Sequence, residues 1–413
     1  MKKHPFLIGF LLGVIFWSLN GSWIFSAINF YGAGIFASLA ISAVLISYLS
    51  LYFGLFSVIC SYYWQHKYFV LIAPSAFFLL EFIRSYLLTG IPWLKLGMIA
   101  EELWGMLPIV GVAGTSFLIV LGVALIAKSK ETRLFIPLSG LIFLSLVFGP
   151  GHFQSNDNLT PLKTAVIQPV DLSLDKLIKV SNKLDADVIV WPEAVAQLKQ
   201  NLDLNSGKEI IGGFYTYTGD DDIYNSIVNL STGEKIDKRN LVPFGEFQPF
   251  GGLLNSLSSF FVSPYFKSLS PGAANQANIS VQGQEASGLI CWELVFDSTF
   301  LKRTRNASMI FHVSNDSWFG GAMPLQHYKH VKSRAVESNK WVARSTKDGI
   351  SSIVSPSLSY EDKKLIRGKD GYIIDDVYLN TERTIFLLLG NWPLLIFSTL
   401  VLLLIILQGR IKE

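Results

Sequence analysis

At 413 residues, half of them hydrophobic and only 16% charged, the chain is too apolar for an ordinary soluble enzyme. A formal charge of +3, with no basic patch interleaved with aromatics, excludes nucleic acid as an expected partner. Two cysteines, no His or Cys cluster at metal-ligand spacing and no glycine-rich phosphate loop leave no disulfide framework and no metal or other cofactor to expect.

The apolar excess is uneven. Residues 1–150 and 385–407 are nearly free of charge, whereas the interior has the texture of a globular domain. The expected organisation is therefore a transmembrane helical domain over 1–150, a globular domain over 151–384, and a last helix with a short tail over 385–413. Phe6 to Phe30 is uncharged and lacks a small-residue cleavage site, so a retained span is expected rather than a cleaved signal peptide. Gly34 to Trp64 is long for one straight crossing and reads as one tilted helix or two short ones. Phe69–Leu88, Leu107–Ala127 and Leu134–Pro150 follow, and Ile385–Leu407 closes the chain.

Positive charge clusters at Lys2 and Lys3, at Lys67, at Lys128, Lys130 and Arg133, and at Arg410 and Lys412. Placing all of these in the cytoplasm requires Gly34–Trp64 to cross once. That gives five crossings before the globular domain and one after it, with the domain facing outward. Glu81 and Arg84 lie three apart inside the third span, where they share a helix face and can pair. Charge at that depth marks either function or a lock between helices. The loop that follows, Thr89 to Leu94, puts Pro92-Trp93 at the outer interface, a depth Trp favours in any membrane protein.

From Pro161 the pattern changes to short β-rich runs between polar turns. Strands are expected at Leu162–Val170, Asp187–Trp191, Ile210–Tyr217, Tyr224–Leu230, Ile279–Gln282, Ser287–Cys291, Met309–Val313, Trp341–Ser345 and Ile350–Ser355, and helices at Asp175–Leu184 and Leu325–Asn339. The mixture predicts a layered α/β domain rather than a barrel.

Three strand ends carry candidate chemistry. Glu193 follows a buried strand and a Trp-Pro step, where partial desolvation raises a carboxyl toward a useful base. Lys238 precedes a rigid Pro-Phe-Gly turn with Glu246 behind it. An ammonium beside a thiol lowers the thiol's pKa and stabilises an oxyanion. Cys291 ends an apolar strand at a turn, which suits a covalent nucleophile, although a buried core cysteine is the commoner fate of such a residue. Phe250, Leu253, Leu254, Leu257 and Phe261 form a helical stripe thickened by Phe260. That stripe is expected either to pack in the core or to lie in the membrane interface as a mobile arm.

The motifs together resemble the nitrilase superfamily and, within it, the apolipoprotein N-acyltransferases of bacterial inner membranes. They are Trp-Pro-Glu at 191–193, Tyr-Asn-Ser-Ile at 224–227, Lys-Arg-Asn-Leu-Val-Pro-Phe-Gly-Glu-Phe at 238–247, Ile-Cys-Trp-Glu at 290–293, Val-Ser-Asn-Asp-Ser-Trp-Phe-Gly at 313–320 and Gln-His at 326–327. Glu-Phe-Ile-Arg at 81–84, Thr-Gly-Ile-Pro-Trp-Leu at 89–94 and Gly-Asn-Trp-Pro-Leu at 390–394 extend the likeness into the apolar regions. The resemblance implies a nitrilase-like αββα sandwich between transmembrane helices, with Glu193 as general base, Lys238 as transition-state stabiliser and Cys291 as nucleophile. Glu246, Glu293, Trp292, Asn315 and Trp318 would support them. It implies a ping-pong reaction: a phospholipid, typically phosphatidylethanolamine, acylates Cys291, and the α-amino group of a diacylglyceryl-cysteine apolipoprotein takes the chain. The expected setting is a multi-pass monomer in the inner membrane with its catalytic domain in the periplasm. The rival readings are a membrane-tethered amidase acting on a small soluble amide and a non-enzymatic lipoprotein-binding protein. The sequence departs from the family's habit at Trp292, where Tyr is common, at Ile236, at Lys347-Asp348-Gly349, and in having six expected spans where eight are usual.

Overall fold

The computed structural model describes all residues except 1–3, 31, 33, 154–159, 172, 199–206, 220–221, 244, 248–267 and 411–413. The stripe containing Phe250, Leu254, Leu257, Phe260 and Phe261 lies outside the described residues. The chain divides into two compact units, one of Met1–Phe25, Leu39–Phe153 and Thr384–Glu413, the other of Ser26–Ser38 and Gln154–Arg383.

The first unit is helical: α1 (Pro5–Asn20), α2 (Trp23–Phe30), α3 (Gly34–Tyr63), α4 (Phe69–Arg84), α5 (Leu107–Ala127), α6 (Phe135–Phe148), α10 (Ile385–Leu389) and α11 (Trp392–Arg410), the stretch Ser26–Ser38 at the end of α2 and the start of α3 being counted with the second. By length and composition, Gly34–Tyr63, Leu107–Ala127 and Phe135–His152 are each long and apolar enough to cross a membrane. α1 and α2 pass that test together but are bent by 58°, at a Gly21-Ser22 pair of the kind that kinks helices. The apolar part of α11, Trp392–Gln408, is shorter. The uncharged run after residue 33 forms one 30-residue helix, not two. Gly9 and Gly13 let α1 close on α3: a Cβ at Gly9 would stand 2.4 Å from the Phe53 carbonyl oxygen, the small-residue packing that membrane helices use.

Glu81 and Arg84 both reach the loop that follows their helix, and each also meets another helix, Glu81 at Ser116 of α5 and Arg84 over the Trp17 ring of α1 at 5.2 Å. Arg84 Nη1 donates to the Trp93 carbonyl at 2.9 Å, and the Leu96 N–H donates to Glu81 Oε1 at 2.7 Å. Trp93 is only 1% exposed and packs edge-on to Trp23, with centroids 5.5 Å apart. Trp93 is thus held by protein on both its carbonyl and its ring.

The second unit carries two sheets. In the first the strand order is β13 (Gly371–Tyr378), β1 (Pro161–Gln168), β2 (Val188–Val190), β4 (Glu209–Thr218), β5 (Asp222–Asn229) and β6 (Lys235–Asp237), with β3 (Ala196–Gln197) beside β4. In the second it is β12 (Lys363–Lys364), β11 (Ser352–Val354), β10 (Val342–Lys347), β9 (Ile310–Asn315), β8 (Gln284–Ile290) and β7 (Ile279–Val281). Strand alternation sorts the side chains into layers. Val166, Val188 and Val190 meet Ile290, Phe311, Val313 and Ala343 in a core between the sheets. Ala165, Ile167, Ile189 and Trp191 face the other way and pack with Leu177 and Leu184 around α7 (Leu174–Lys183). Helices α8 (Asp297–Thr304) and α9 (Met323–Ser338) pack with the second sheet. The result is the layered α/β sandwich expected. Parallel pairs β1·β2, β2·β4, β8·β9 and β9·β10 align their carboxyl ends, where Glu193, Cys291 and Asn315 emerge.

Candidate active site

Cys291 leaves the last residue of β8 and opens a 3₁₀ turn, Cys291–Val295. Its backbone is left-handed, φ 52°, a conformation that costs a non-glycine residue about 1–3 kcal/mol and persists only where surroundings enforce it. Glu293 supplies part of that enforcement. Its Oε2 accepts from the Ile290 N–H at 3.1 Å and from Arg303 at 2.9 Å, and its Oε1 accepts from the Arg239 N–H at 2.7 Å and the Asn240 N–H at 3.2 Å. One buried carboxylate thus clips the Cys291 turn to the segment that carries Lys238. The Cys291 carbonyl faces two imidazoles, His312 Nε2 at 2.9 Å and His327 Nε2 at 3.3 Å.

Lys238, one residue past β6, is buried, and its N–H donates to the Asn225 carbonyl at 2.7 Å. Its ammonium lies between two carboxylates, 3.0 Å from Glu193 Oε1 and 2.7 Å from Glu246 Oε1. Glu193 is held at both oxygens. Oε1 also accepts from Asn225 Nδ2 at 2.7 Å, and Oε2 accepts from the backbone N–H of Asn315 at 2.8 Å. Glu246 Oε2 accepts from the Val242 N–H at 2.8 Å.

Asn315 therefore serves through its main chain. Its side chain closes a local turn by accepting from Ser317 Oγ at 2.7 Å, and Trp318 Nε1 donates to its carbonyl at 2.5 Å. The Trp292 ring packs against the inter-sheet core and edge-on to Phe296. Asn225 and His312 were not singled out by the sequence; only Asn225 sat in a quoted motif as a candidate, and a histidine inside an apolar strand carries no spacing signal.

The electrostatics correct one expectation. Burial, and then Glu193, push the Cys291 thiol well above its ordinary value; the nearby Lys238 pulls the other way and loses. Burial first, and Glu193 second, outweigh the pull of Lys238 toward a thiolate. Burial by itself lowers Lys238, but Glu193 and Glu246 outweigh it and hold the ammonium charged, well above its usual range. Burial raises Glu193 above the ordinary carboxyl value in spite of Lys238. The arrangement is a thiol pushed toward its protonated form, a charged lysine and a carboxylate of raised basicity, which together suit base-assisted chemistry at sulfur.

Residues 1–125 match the family model described as "Apolipoprotein N-acyltransferase N-terminal domain", and residues 205–384 match "Carbon-nitrogen hydrolase". The apolipoprotein N-acyltransferase of Vibrio vulnificus is 30% identical, with 97% of this chain and 87% of that protein covered. The chain belongs to the apolipoprotein N-acyltransferase family. The member from Wigglesworthia glossinidia brevipalpis is 29% identical over 95% of this chain and 86% of its own length. Among solved structures, an amidase from Nesterenkonia sp. is 15% identical with a TM-score of 0.37, covering 55% of this chain and 95% of that one. The hydrolase match spans Lys238 and Cys291 and begins beyond Glu193.

Proposed function

We infer that the N-acylation of apolipoproteins, the step of lipoprotein maturation for which this family is named, runs here through a thioester on Cys291. Glu193 takes the thiol proton as Sγ attacks the ester carbonyl of a membrane phospholipid. The oxyanion that forms is stabilised by the Lys238 ammonium. Collapse breaks the ester bond and expels the lysophospholipid alkoxide, which recovers the proton from Glu193. In the second half, the α-amino group of a diacylglyceryl-cysteine apolipoprotein attacks the thioester and gives a proton to Glu193. The Cys291 thiolate leaves and is reprotonated. The observation that carries this reading is the buried Lys238 ammonium fixed between Glu193 and Glu246 beside a raised-pKa thiol. A protonated thiol requires a base, and Glu193 is the carboxylate that meets both the lysine and the Asn315 backbone.

The match of residues 1–125 to an apolipoprotein N-acyltransferase N-terminal domain supports a lipid donor over a small soluble amide. The charge clusters support five crossings before the catalytic unit and one after, placing that unit on the periplasmic face of the inner membrane. The finer assignments are phosphatidylethanolamine as donor and a monomeric enzyme. Intact-mass analysis after incubation with phosphatidylethanolamine vesicles tests the mechanism: one acyl adduct on Cys291 is expected, absent from folded Cys291→Ser and Cys291→Ala proteins. Near-normal transfer by either variant overturns the covalent route.

A further inference from the structure

Beneath the nucleophile lies a closed group of charged and aromatic side chains that the reaction scheme does not use. Arg344, on β10, is completely buried. Its Nε donates to the Ile350 carbonyl at 2.9 Å, Nη1 contacts His312 Nδ1 at 2.7 Å, and Nη2 donates to Asp316 Oδ2 at 2.6 Å, with His327 Nδ1 at 3.4 Å. Asp316 Oδ1 accepts from Ser314 Oγ at 2.7 Å and faces His327 Nδ1 at 3.2 Å. A Cβ on Gly349 would stand 2.6 Å from Asp316 Oδ2, so the cluster is packed tightly.

A guanidinium has donors only. His312 Nδ1, touched by Arg344, must therefore present its lone pair, and the ring proton resides on Nε2. That nitrogen faces the Cys291 carbonyl at 2.9 Å, which can only accept. We propose that His312 is a positioning residue for the nucleophile: its Nε2–H, in a tautomer imposed by Arg344, holds the Cys291 carbonyl and with it the left-handed backbone that aims the thiol. Burial, reinforced by Arg344, keeps the ring neutral, as a one-proton imidazole in this role has to be. His327 Nδ1 meets both an acceptor, Asp316 Oδ1 at 3.2 Å, and a donor, Arg344 Nη2 at 3.4 Å, so its tautomer is not fixed in the same way, and its Nε2 lies farther from the carbonyl, at 3.3 Å; the firm tether is His312. A fully buried ion pair is an expensive way to fill space. Here its effect is to fix which nitrogen of His312 carries the proton.

The inference rests on Cys291 as the acylated residue, and the variants separate the two ideas. His312→Gln keeps a donor near the Nε2 position but alters the contact with Arg344. His312→Asn keeps an acceptor for Arg344 and is too short to reach the carbonyl. Single-turnover acylation by phosphatidylethanolamine vesicles, scaled to the folded fraction, should fall about ten- to a hundredfold for His312→Asn, the range that small misplacements of a reacting group cost. For His312→Gln it should stay within about threefold of wild type. A purely structural role, satisfying Arg344, gives the reverse order. Wild-type acylation by His312→Asn, or no advantage of Gln over Asn, overturns the proposal. If Cys291→Ala stays active, it is the nucleophile assignment that fails instead. Should neither His312 variant fold, nitrogen-15 NMR of the histidine-labelled wild-type enzyme decides: a neutral ring protonated at Nε2 supports the tether, and a ring protonated at Nδ1 refutes it.

Discussion

Replacing Lys238 by Met keeps most of its volume and removes the only cation between Glu193 and Glu246. At an effective dielectric of about 20, contacts of 3.0 and 2.7 Å correspond to attractions of about 5–6 kcal/mol each before desolvation is subtracted. The variant cannot lose all of that, because a stranded carboxylate escapes by taking up a proton. For a carboxyl of ordinary value 4.5, protonation at pH 7 costs about 3.4 kcal/mol, and at pH 5 about 0.7 kcal/mol. Those figures cap the penalty. The folded variant binds a proton that its unfolded chain releases above pH 4.5, so its stability falls as pH rises and recovers on acidification.

For a unit of this size the cap corresponds to a melting temperature about 7–14 °C below wild type at pH 7, and only about 1–3 °C below at pH 5. Tryptophan-fluorescence melts of detergent-solubilised protein between pH 5 and 8 measure the difference, with the wild-type slope subtracted. A second substitution, Glu246→Gln, removes one of the two repelling charges and should restore most of the loss at pH 7. A deficit independent of pH, or no recovery in the double variant, would refute the charge argument. Acylation should fall about a hundred- to a thousandfold in Lys238→Met at every pH, as when an oxyanion donor is lost.

Lys238→Arg should not restore acylation, since a planar fork does not fit the space between two carboxylates 3.0 and 2.7 Å from one nitrogen; wild-type acylation kinetics in that variant would mean that charge alone matters. Glu293→Gln leaves Arg303 without its buried partner and should cost about 3–5 kcal/mol, read as a lower melting temperature. A variant as stable as wild type would show that this carboxylate does not hold the nucleophile turn. Reporter tags at Lys130 and at the C-terminus should read as cytoplasmic, and one between Asn156 and Leu159 as external. A cytoplasmic signal from that last position excludes periplasmic transfer.

The strands that carry Glu193, Cys291 and Asn315 were legible because each is a short apolar run ending in polar residues, and burial on both faces demands that pattern. β13 was missed. Gly371–Tyr378 pairs with β1 at the sheet edge, and Asp375 and Asp376 interrupt its apolar run on a half-exposed surface. The reach of Glu246 to Lys238 was legible only as proximity in sequence; its geometry depends on the turn at Val242. His312 and Arg344 were illegible for a different reason. Each sits inside a strand that reads as core, and only the parallel pairing of β9 with β10, which sets Arg344 opposite His312, makes them partners.

That pairing bears on why the thiol can be left protonated. A thiolate formed by Lys238 alone would be a ready nucleophile, but also more open to oxidation between turnovers than a thiol. Burial, with Glu193, pushes the resting thiol toward its neutral form, and in the proposed scheme the proton goes to Glu193 during attack. In that proposed scheme the same carboxyl group holds a proton near the departing sulfur when the thioester opens. Such a scheme tolerates little error in where the sulfur points, because no standing charge pulls it toward Lys238. Orientation has to come from the backbone, and the left-handed Cys291 turn, clipped by Glu293 on one side and held at its carbonyl on the other, supplies it.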